Sequence, residues 1–216
     1  MGRLFGTDGV RGIANSELTP ELAFSLGKAG AYVLGKNTDE KPCVLIGMDT
    51  RISGDMLENA LTAGILAVGG DVIKVGVLPT PAIAYLVKKY NADAGIVISA
   101  SHNPYEYNGI KFFNSEGFKL DDDIEDIILR QIDVNSHITH DQIGMCREAD
   151  DNALDMYADF LIDIADFSLQ GEKVVLDCAN GASYKVAQKV YKALGANVVA
   201  LGVSPNGTNI NEACGS

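Results

Sequence analysis

The stretch GIVISASHNPYEYNGIKFF, residues 95–113, contains the pattern that decides the fold. It begins with a short continuous apolar run, which is typical of a strand buried on both faces of a sheet. That run ends in Ser-Ala-Ser-His-Asn-Pro, and a second apolar run resumes after Asn108-Gly109, a turn signal. We therefore expect a buried strand, a polar loop at its end, and an antiparallel strand that carries Lys111 and makes the sheet mixed.

Two more apolar runs, at 43–49 and 71–77, are predicted strands that precede this one along the chain. The segments between the runs show the apolar period of helices. The expected helices cover 20–36, 54–68 and 81–90. Strands that alternate with helices predict an α/β fold, here a three-layer α/β/α domain with a mixed, largely parallel sheet.

Several predicted helices carry a recognisable start. Thr19-Pro20 and Thr80-Pro81 each place a threonine, a preferred N-cap residue, before a proline, which suits the first helical position. We therefore expect Thr19 and Thr80 to cap two helices. Three aspartates at 121–123 open another apolar period, and their negative charge favours a helix N-terminus there.

The segment 133–151 is polar and weakly periodic, and we place a domain junction near its end. A helix, the strand-loop-helix stretch KVVLDCANGAS (173–183), a further helix and a strand at 197–202 follow it. These few elements cannot bury a full two-layer core by themselves. The predicted organisation is a first domain at 1–151 and an incomplete second α/β domain at 152–216.

The composition narrows the class of function. Seventeen basic and 29 acidic side chains give a formal charge of −12, which argues against a general nucleic-acid binder. No apolar stretch approaches the ~18 residues of a membrane span, and no N-terminal apolar run predicts a signal peptide. The four cysteines are widely separated, which suits free thiols in a reducing cytoplasm better than disulfides or a zinc site.

Ligands of open α/β sheets bind at the carboxyl ends of the strands, so four loops are candidate site loops. Their sequences are GTDGVRG, MDTRISG, LPTP and SASHNP. In the last loop Ser99 and Ser101 are both candidate nucleophiles, and serines that only satisfy backbone groups are the alternative. His102 is adjacent to Ser101, so a serine–histidine proton relay is not implied, and His102 fits a structural donor equally well. A serine that carries a phosphoryl group fits better, because a phosphoserine needs cations or a metal more than a base.

Three cations lie in or near these loops. Lys111 would approach Ser101 if the intervening loop folds back, and it would act as a base only with a lowered pKa. Arg11 and Arg51 could bind phosphate bidentately. Either arginine could instead pair with a nearby carboxylate, Asp8 or Asp49.

Five motifs together resemble the α-D-phosphohexomutase superfamily, and its bacterial phosphoglucosamine mutase branch is the nearest match. The motifs are FGTDGVRG (5–12), GMDTRISG (47–54), LPTPA (78–82), SASHNPYEYNGIKFF (99–113) and DCANGAS (177–183). They occur in the family's order and cover essentially the whole chain.

The resemblance implies an isomerase that interconverts glucosamine 6-phosphate and glucosamine 1-phosphate, on the route to UDP-N-acetylglucosamine and peptidoglycan. It identifies Ser101 as the phosphoserine, Mg²⁺ as a metal held through that phosphate, and a hexosamine 1,6-bisphosphate as intermediate and activator. Catalysis would then be mostly positioning and electrostatics. The further roles that it implies are proton transfer by Lys111 and His102, support of the phosphoryl group by Arg11, and phosphate binding by Thr7, Arg11, Arg51 and Asn103.

The resemblance also carries expectations about partners and completeness. It implies a cytoplasmic homodimer whose phosphoserine forms by autophosphorylation or through an activating kinase, with no nucleic-acid or membrane partner. Family members are about twice this long, and an aspartate-rich metal loop and a sugar-recognition loop are missing here. We therefore expect an N-terminal fragment with little mutase activity and weak Mg²⁺ affinity. The alternatives are a phosphomannomutase or phosphoglucomutase of the same superfamily, and a non-catalytic phosphosugar-binding module.

Overall fold

The structure is a computed structural model, and it describes residues 5–6, 9–35, 41–134, 142–149 and 152–215. The strands are β1 (Phe5–Gly6), β2 (Gly9–Ile13), β3 (Cys43–Met48), β4 (Asp71–Val77), β5 (Ala94–Ile98), β6 (Tyr107–Asn114), β7 (Cys146–Glu148), β8 (Lys173–Asp177) and β9 (Asn197–Leu201). The helices are α1 (Pro20–Leu34), α2 (Gly54–Ala67), α3 (Thr80–Lys89), α4 (Asp122–Val134), α5 (Ala153–Asp163) and α6 (Tyr184–Ala193).

Seven of the described strands form one sheet, in the order β1-β2-β6-β5-β3-β4-β7. β3 runs parallel to β4 and β5, and β7 runs parallel to β4. β6 runs antiparallel to both β5 and β2. Strands β8 and β9 pair parallel in a separate two-stranded sheet. The predicted α/β fold with a mixed, largely parallel sheet is confirmed, and so is the antiparallel strand that carries Lys111.

The central strands are buried on both faces because successive side chains point to opposite sides of the sheet. In β3, Ile46 packs into a core with Leu61 of α2, whereas its neighbour Leu45 packs into a second core with Leu86 of α3. Helices α1, α2 and α4 cover the first face, and α3 covers the second. This arrangement is the α/β/α layering that the continuous apolar runs predict.

Helices α5 and α6 extend the second core beyond the seven-stranded sheet. Tyr157 of α5 and Val186 of α6 are buried in the same cluster as the apolar face of α3. Tyr85 of α3 stacks on Phe160 of α5, with ring centroids 4.2 Å apart and planes 20° apart. We call the seven-stranded sheet with helices α1 to α4 the first unit, and α5, α6, β8 and β9 the second unit. The second unit therefore packs against the first unit through α3. The proposed division at residues 151 and 152 stays a prediction.

One strand was not predicted, and one predicted helix cap was wrong. The polar segment 133–151 contains β7, a three-residue strand with exposed side chains at the edge of the sheet, where little apolar burial is required. Helix α3 begins at Thr80 with Pro79 in the N-cap position, so Thr80 is not the cap. Thr19 does cap α1, since its Oγ1 accepts from the Leu22 N–H at 3.2 Å. Among the described residues, no helix has the length and apolar character needed to cross a membrane.

Candidate active site

Loops from both units meet at the carboxyl ends of their strands and line one cavity of about 350 Å³. The first unit contributes Asp49 after β3, residues 79–81 after β4, and Ser99, Ser101 and His102 after β5. The second unit contributes residues within 178–183 after β8, together with Ile210 and Asn211. Three of the four predicted site loops therefore line this cavity.

Ser101 has a strained backbone, with φ of +58°. Residues other than glycine rarely adopt this left-handed conformation, and where they do the surrounding structure must hold them in it. The backbone N–H of Ser101 donates to Ser99 Oγ at 3.2 Å. The Ser101 side chain is exposed to the cavity, and its Oγ lies 3.5 Å from Nδ1 of His102, at the limit of a hydrogen bond.

Ser99 joins the strained serine to a buried carboxylate. Its Oγ donates to Asp49 Oδ2 at 2.7 Å while it accepts from the Ser101 N–H. Asp49 is 4% exposed and follows β3 directly. The spacing left open which serine is the nucleophile, and the structure gives the two serines different surroundings. Ser99 Oγ is engaged in the support of the loop, whereas Ser101 Oγ faces the cavity.

Arg51 is the cation that holds this loop. Its side chain is fully buried and pairs with Asp49, with Nε 2.9 Å from Oδ2. Nη2 donates to the carbonyl oxygens of Ser101 at 3.0 Å and Asn103 at 2.8 Å, and Nη1 donates to the carbonyl of Pro104. Pairing with Asp49 was the open alternative for Arg51, and it is the arrangement found. Phosphate binding by Arg51 stays a prediction, and the contacts described for it are to protein atoms.

Arg11 and Lys111 lie on the same face of the sheet as Ser99. Arg11 of β2 pairs with Gly109 of β6, and Lys111 stands two residues further along β6, opposite Val97. Residues at such diagonal positions on one face are within reach of long side chains. Neither residue lines the cavity around Ser101. Their predicted roles in proton transfer and phosphoryl support stay predictions.

The remaining predicted site residues have distinct positions. His102 lines the cavity and is exposed. Asn103 contributes its carbonyl to Arg51 and donates its N–H to the carbonyl of Ala100, and no described contact assigns its side chain a role. Thr7, the fourth predicted phosphate ligand, lies outside the described residues.

The second unit supplies contacts that the sequence did not indicate. Thr50 Oγ1 donates to the carbonyl of Asn180, and the N–H of Ile52 donates to the carbonyl of Gly207. Asn211 reaches the serine loop itself, because its Nδ2 donates to the carbonyls of Ser101 and Asn103. No local signal reveals these contacts, since each joins segments that are more than a hundred residues apart.

Asp177 organises the loops of the second unit next to the cavity. Hydrogen bonds from the N–H groups of Gly215 and Ala179 hold the pKa of this carboxyl below its usual value. Cys178, the next residue, lines the cavity, and its burial raises the pKa of the thiol, with a smaller contribution from Asp177.

The described residues do not form a Mg²⁺ site by themselves. Asp49 is the only carboxylate among those that line the cavity, and its oxygens already accept from Arg51 and Ser99. No group of three or more His, Cys, Asp or Glu that could hold a metal ion occurs in the described part of the chain.

Curated proteins align with this sequence along its whole length. Phosphoglucosamine mutase of Clostridium novyi is 58% identical over 220 residues, which cover 100% of this chain and 49% of that protein. Phosphoglucosamine mutase of Clostridium beijerinckii is 56% identical over 219 residues, with the same shares covered. The chain thus spans about half the length of the curated relatives that it matches.

Solved structures and a protein-family model agree with this likeness. A phosphoglucomutase/phosphomannomutase family protein of Burkholderia thailandensis superposes with a TM-score of 0.80 at 29% identity, over 95% of this chain and 45% of its own. A putative phosphomannomutase of Thermus thermophilus gives the same score at 24% identity, over 94% and 46%, which shows the shared fold. The family model for phosphoglucomutase/phosphomannomutase, alpha/beta/alpha domain I, matches residues 2–138. The chain belongs to the phosphoglucomutase/phosphomannomutase family.

Proposed function

We propose that this chain carries the phosphoserine of a phosphoglucosamine mutase, which interconverts glucosamine 6-phosphate and glucosamine 1-phosphate. The observation that carries the proposal is the placement of Ser101, whose hydroxyl is exposed in a cavity while its backbone is held at positive φ. A group that both gives and receives a phosphoryl group must be accessible and fixed in position. The names of the most similar curated relatives favour glucosamine as the sugar.

The chemistry needs two phosphoryl transfers. In the first, the phosphorus–oxygen bond to Ser101 Oγ breaks while a bond forms to O1 of glucosamine 6-phosphate. The proton of the sugar hydroxyl ends on Ser101 Oγ, and the product is the 1,6-bisphosphate. After the bisphosphate turns round, its 6-phosphoryl group returns to Ser101 Oγ and the serine proton ends on O6, which leaves glucosamine 1-phosphate. Such transfers depend mainly on positioning and charge stabilisation.

The chain offers candidates for the proton transfers and for the support of the phosphoryl group. Lys111 and His102 are proposed to move the protons, and Arg11 to support the phosphoryl group from the neighbouring strand. Arg51 has a different part in this proposal, because its buried guanidinium fixes the carbonyls of Ser101 and Asn103. The positive charge of Arg51 is already matched by Asp49, so it acts on the loop more than on the phosphate.

The other expected components are proposals that rest on the resemblance. They are Mg²⁺ as cofactor, a hexosamine 1,6-bisphosphate as activator, a homodimer, and formation of the phosphoserine by autophosphorylation or a kinase. A cytoplasmic location and a place in peptidoglycan precursor synthesis belong with them. The four cysteines, all free in the structure, are compatible with a reducing compartment.

Intact-mass spectrometry tests the phosphoserine directly. A longer protein, of the relatives' length and containing this chain, is incubated with glucosamine 1,6-bisphosphate and Mg²⁺, and we expect a gain of one phosphoryl group. The gain should be absent in Ser101→Ala and retained in Ser183→Ala, a matched control, because Ser183 lines the same cavity. Phosphorylation that persists in Ser101→Ala, or none in the wild-type longer protein, would show that the proposal is wrong.

Sugar preference needs a separate measurement. The phosphorylated longer protein is mixed with glucosamine, glucose or mannose 6-phosphate, and the loss of its phosphoryl group is followed over time. We expect glucosamine 6-phosphate to give the fastest loss. Faster loss with mannose or glucose 6-phosphate would favour the phosphomannomutase or phosphoglucomutase alternative while leaving the phosphoserine itself in place.

A further inference from the structure

Asn211 is the point at which the second unit holds the serine loop, residues 99–104. Its Nδ2 donates to the carbonyl oxygen of Ser101 at 3.3 Å and to that of Asn103 at 3.1 Å. The same two carbonyls accept from Nη2 of Arg51, at 3.0 and 2.8 Å. Each carbonyl therefore has two donors, one from the first unit and one from the second.

The backbone of Asn211 is itself fixed. Its φ is +61°, a conformation that asparagine tolerates better than most residues. Its N–H donates to the carbonyl of Ala179 at 2.9 Å, in the loop after β8. The side chain is thus presented to the serine loop from a segment that is tied to the second sheet.

The chemistry of the amide suits this position. An amide nitrogen carries two N–H groups and can satisfy two carbonyl oxygens at once, which a carboxylate of the same shape cannot. The Ser101 carbonyl belongs to the peptide that follows the serine, and the Asn103 carbonyl lies two residues further on. Because Ser101 is held in a left-handed conformation, a shift of these two carbonyls would also move Oγ. Displacements of reacting groups by as little as about 1 Å can cost on the order of a hundredfold in rate.

We propose that Asn211 is a positioning residue for phosphoryl transfer at Ser101, through its two hydrogen bonds to the serine loop. This inference rests on the proposed function, and it adds that the reactive serine is correctly oriented only when both units are in contact. Arg51 supplies one half of that support within the first unit, and Asn211 supplies the other half across the contact.

Two substitutions separate the role of the Asn211 side-chain amide from the role of its backbone conformation. Asn211→Gly removes the donor but keeps a residue that adopts positive φ without strain. Asn211→Asp keeps the shape but places carboxylate oxygens against two carbonyl oxygens. A merely conformational role for Asn211 predicts that glycine is harmless, whereas the positioning role predicts that both substitutions are harmful. Matched controls are Asn91→Gly and Asn91→Asp, because Asn91 is an exposed asparagine at φ +49° after α3.

The first readout is the initial rate of phosphoryl transfer from glucosamine 1,6-bisphosphate to the longer protein, of the relatives' length, that contains this chain. We expect Asn211→Gly to lower the maximal rate on the order of tenfold to a hundredfold with little change in the bisphosphate concentration at half-maximal rate. Asn211→Asp should lower it at least as much. The second readout is hydrogen exchange of the amides in the serine loop, which we expect to be faster in both variants and unchanged in the Asn91 controls.

The outcomes distinguish the two proposals. If the wild-type longer protein is phosphorylated and its Asn211→Gly variant is phosphorylated at the same rate, the positioning role is wrong and the proposed function stands. If the wild-type longer protein takes up no phosphoryl group, the proposed function is wrong and the positioning role fails with it. Unchanged hydrogen exchange in the serine loop of both Asn211 variants would also overturn the positioning role.

Discussion

The loops that follow β3 and β8 each have an aspartate at the end of the strand, yet the two carboxylates act in different surroundings. Asp49 is buried and is neutralised by the guanidinium of Arg51, and together they hold the serine loop. Asp177 is exposed and accepts from the backbone N–H groups of Ala179 and Gly215. A buried charge requires a partner of opposite charge, whereas an exposed carboxylate needs only local donors. The same residue type therefore stabilises two loops of one site by different means.

The two sheets also differ in how far their faces are buried. Helices cover both faces of the seven-stranded sheet, and β3 and β5 are buried on both sides. In the two-stranded sheet one face is exposed, and it carries Val175, Val199 and Leu201 at 62%, 42% and 52% exposure. Parallel strands are normally covered on both faces. We therefore expect substitutions in the first sheet to be costly and those on the open face of the second sheet to be mild.

The largest expected effect is that of Leu61→Ala in α2, a fully buried residue of the first core. Removal of a buried leucine side chain leaves a cavity and should lower the free energy of unfolding by about 4 kcal/mol. Urea denaturation followed by circular dichroism measures this loss. The matched control is Leu201→Ala on the open face, which should change the same quantity by less than about 0.5 kcal/mol. Equal losses in the two variants would contradict the contrast between the sheets.

Arg51→Met should have the next largest effect, because it leaves Asp49 buried without its cation and removes donors to three carbonyls. We expect the free energy of unfolding to fall by about 3 kcal/mol. Phosphoryl uptake at Ser101 should fall with it, since the loop loses its support within the first unit. Arg130→Met is the control, because Arg130 is exposed on α4. Normal stability and normal uptake in Arg51→Met would show that Asp49 and the loop do not depend on this guanidinium.

A smaller effect on stability is expected from Asp177, and this effect depends on pH. Its pKa is lowered in the folded chain by two backbone donors, so its contribution to stability is present above its usual pKa of 3.8. That contribution is lost as the pH falls through the lower folded pKa. Hydrogen exchange of the Ala179 and Gly215 amides, measured between neutral and acidic pH, should show this loss of protection. Asp177→Asn should lack this pH dependence, and a wild-type-like profile in Asp177→Asn would assign the effect to another group.

Much of the first sheet could be predicted from the sequence because burial on both faces leaves continuous apolar runs, as in β3 and β5. The edge strand β7 could not, because three exposed residues at a sheet edge give no apolar period. The start of α3 was placed one residue late, since the helix begins at Thr80 and Pro81 is its second residue. Local patterns therefore indicated the buried elements well and the polar boundaries poorly.

The candidate site was predictable in part, for the same reason. Strand-end loops rich in serine and aspartate indicated where a ligand would bind, and Ser101 and His102 do line the cavity. The roles of Arg51 and Asn211 could not be read from spacing, because they depend on hydrogen bonds between segments that meet only in the folded chain. The sequence left Arg51 with either a phosphate or a nearby carboxylate, Asp8 or Asp49, as its partner, and the folded chain shows its pairing with Asp49.

The smallest effect is expected from Val199→Thr on the open face of the second sheet. Threonine has nearly the shape of valine, and its hydroxyl would remain in contact with water at this exposed position. The free energy of unfolding should therefore change by less than about 0.5 kcal/mol. The matched variant Val44→Thr places the same hydroxyl in the first core, where valine is 2% exposed, and should cost about 1–3 kcal/mol. If Val199→Thr proved as costly as Val44→Thr in urea denaturation, the open face would have to be covered in solution, and sedimentation would then show whether a second copy of the chain covers it.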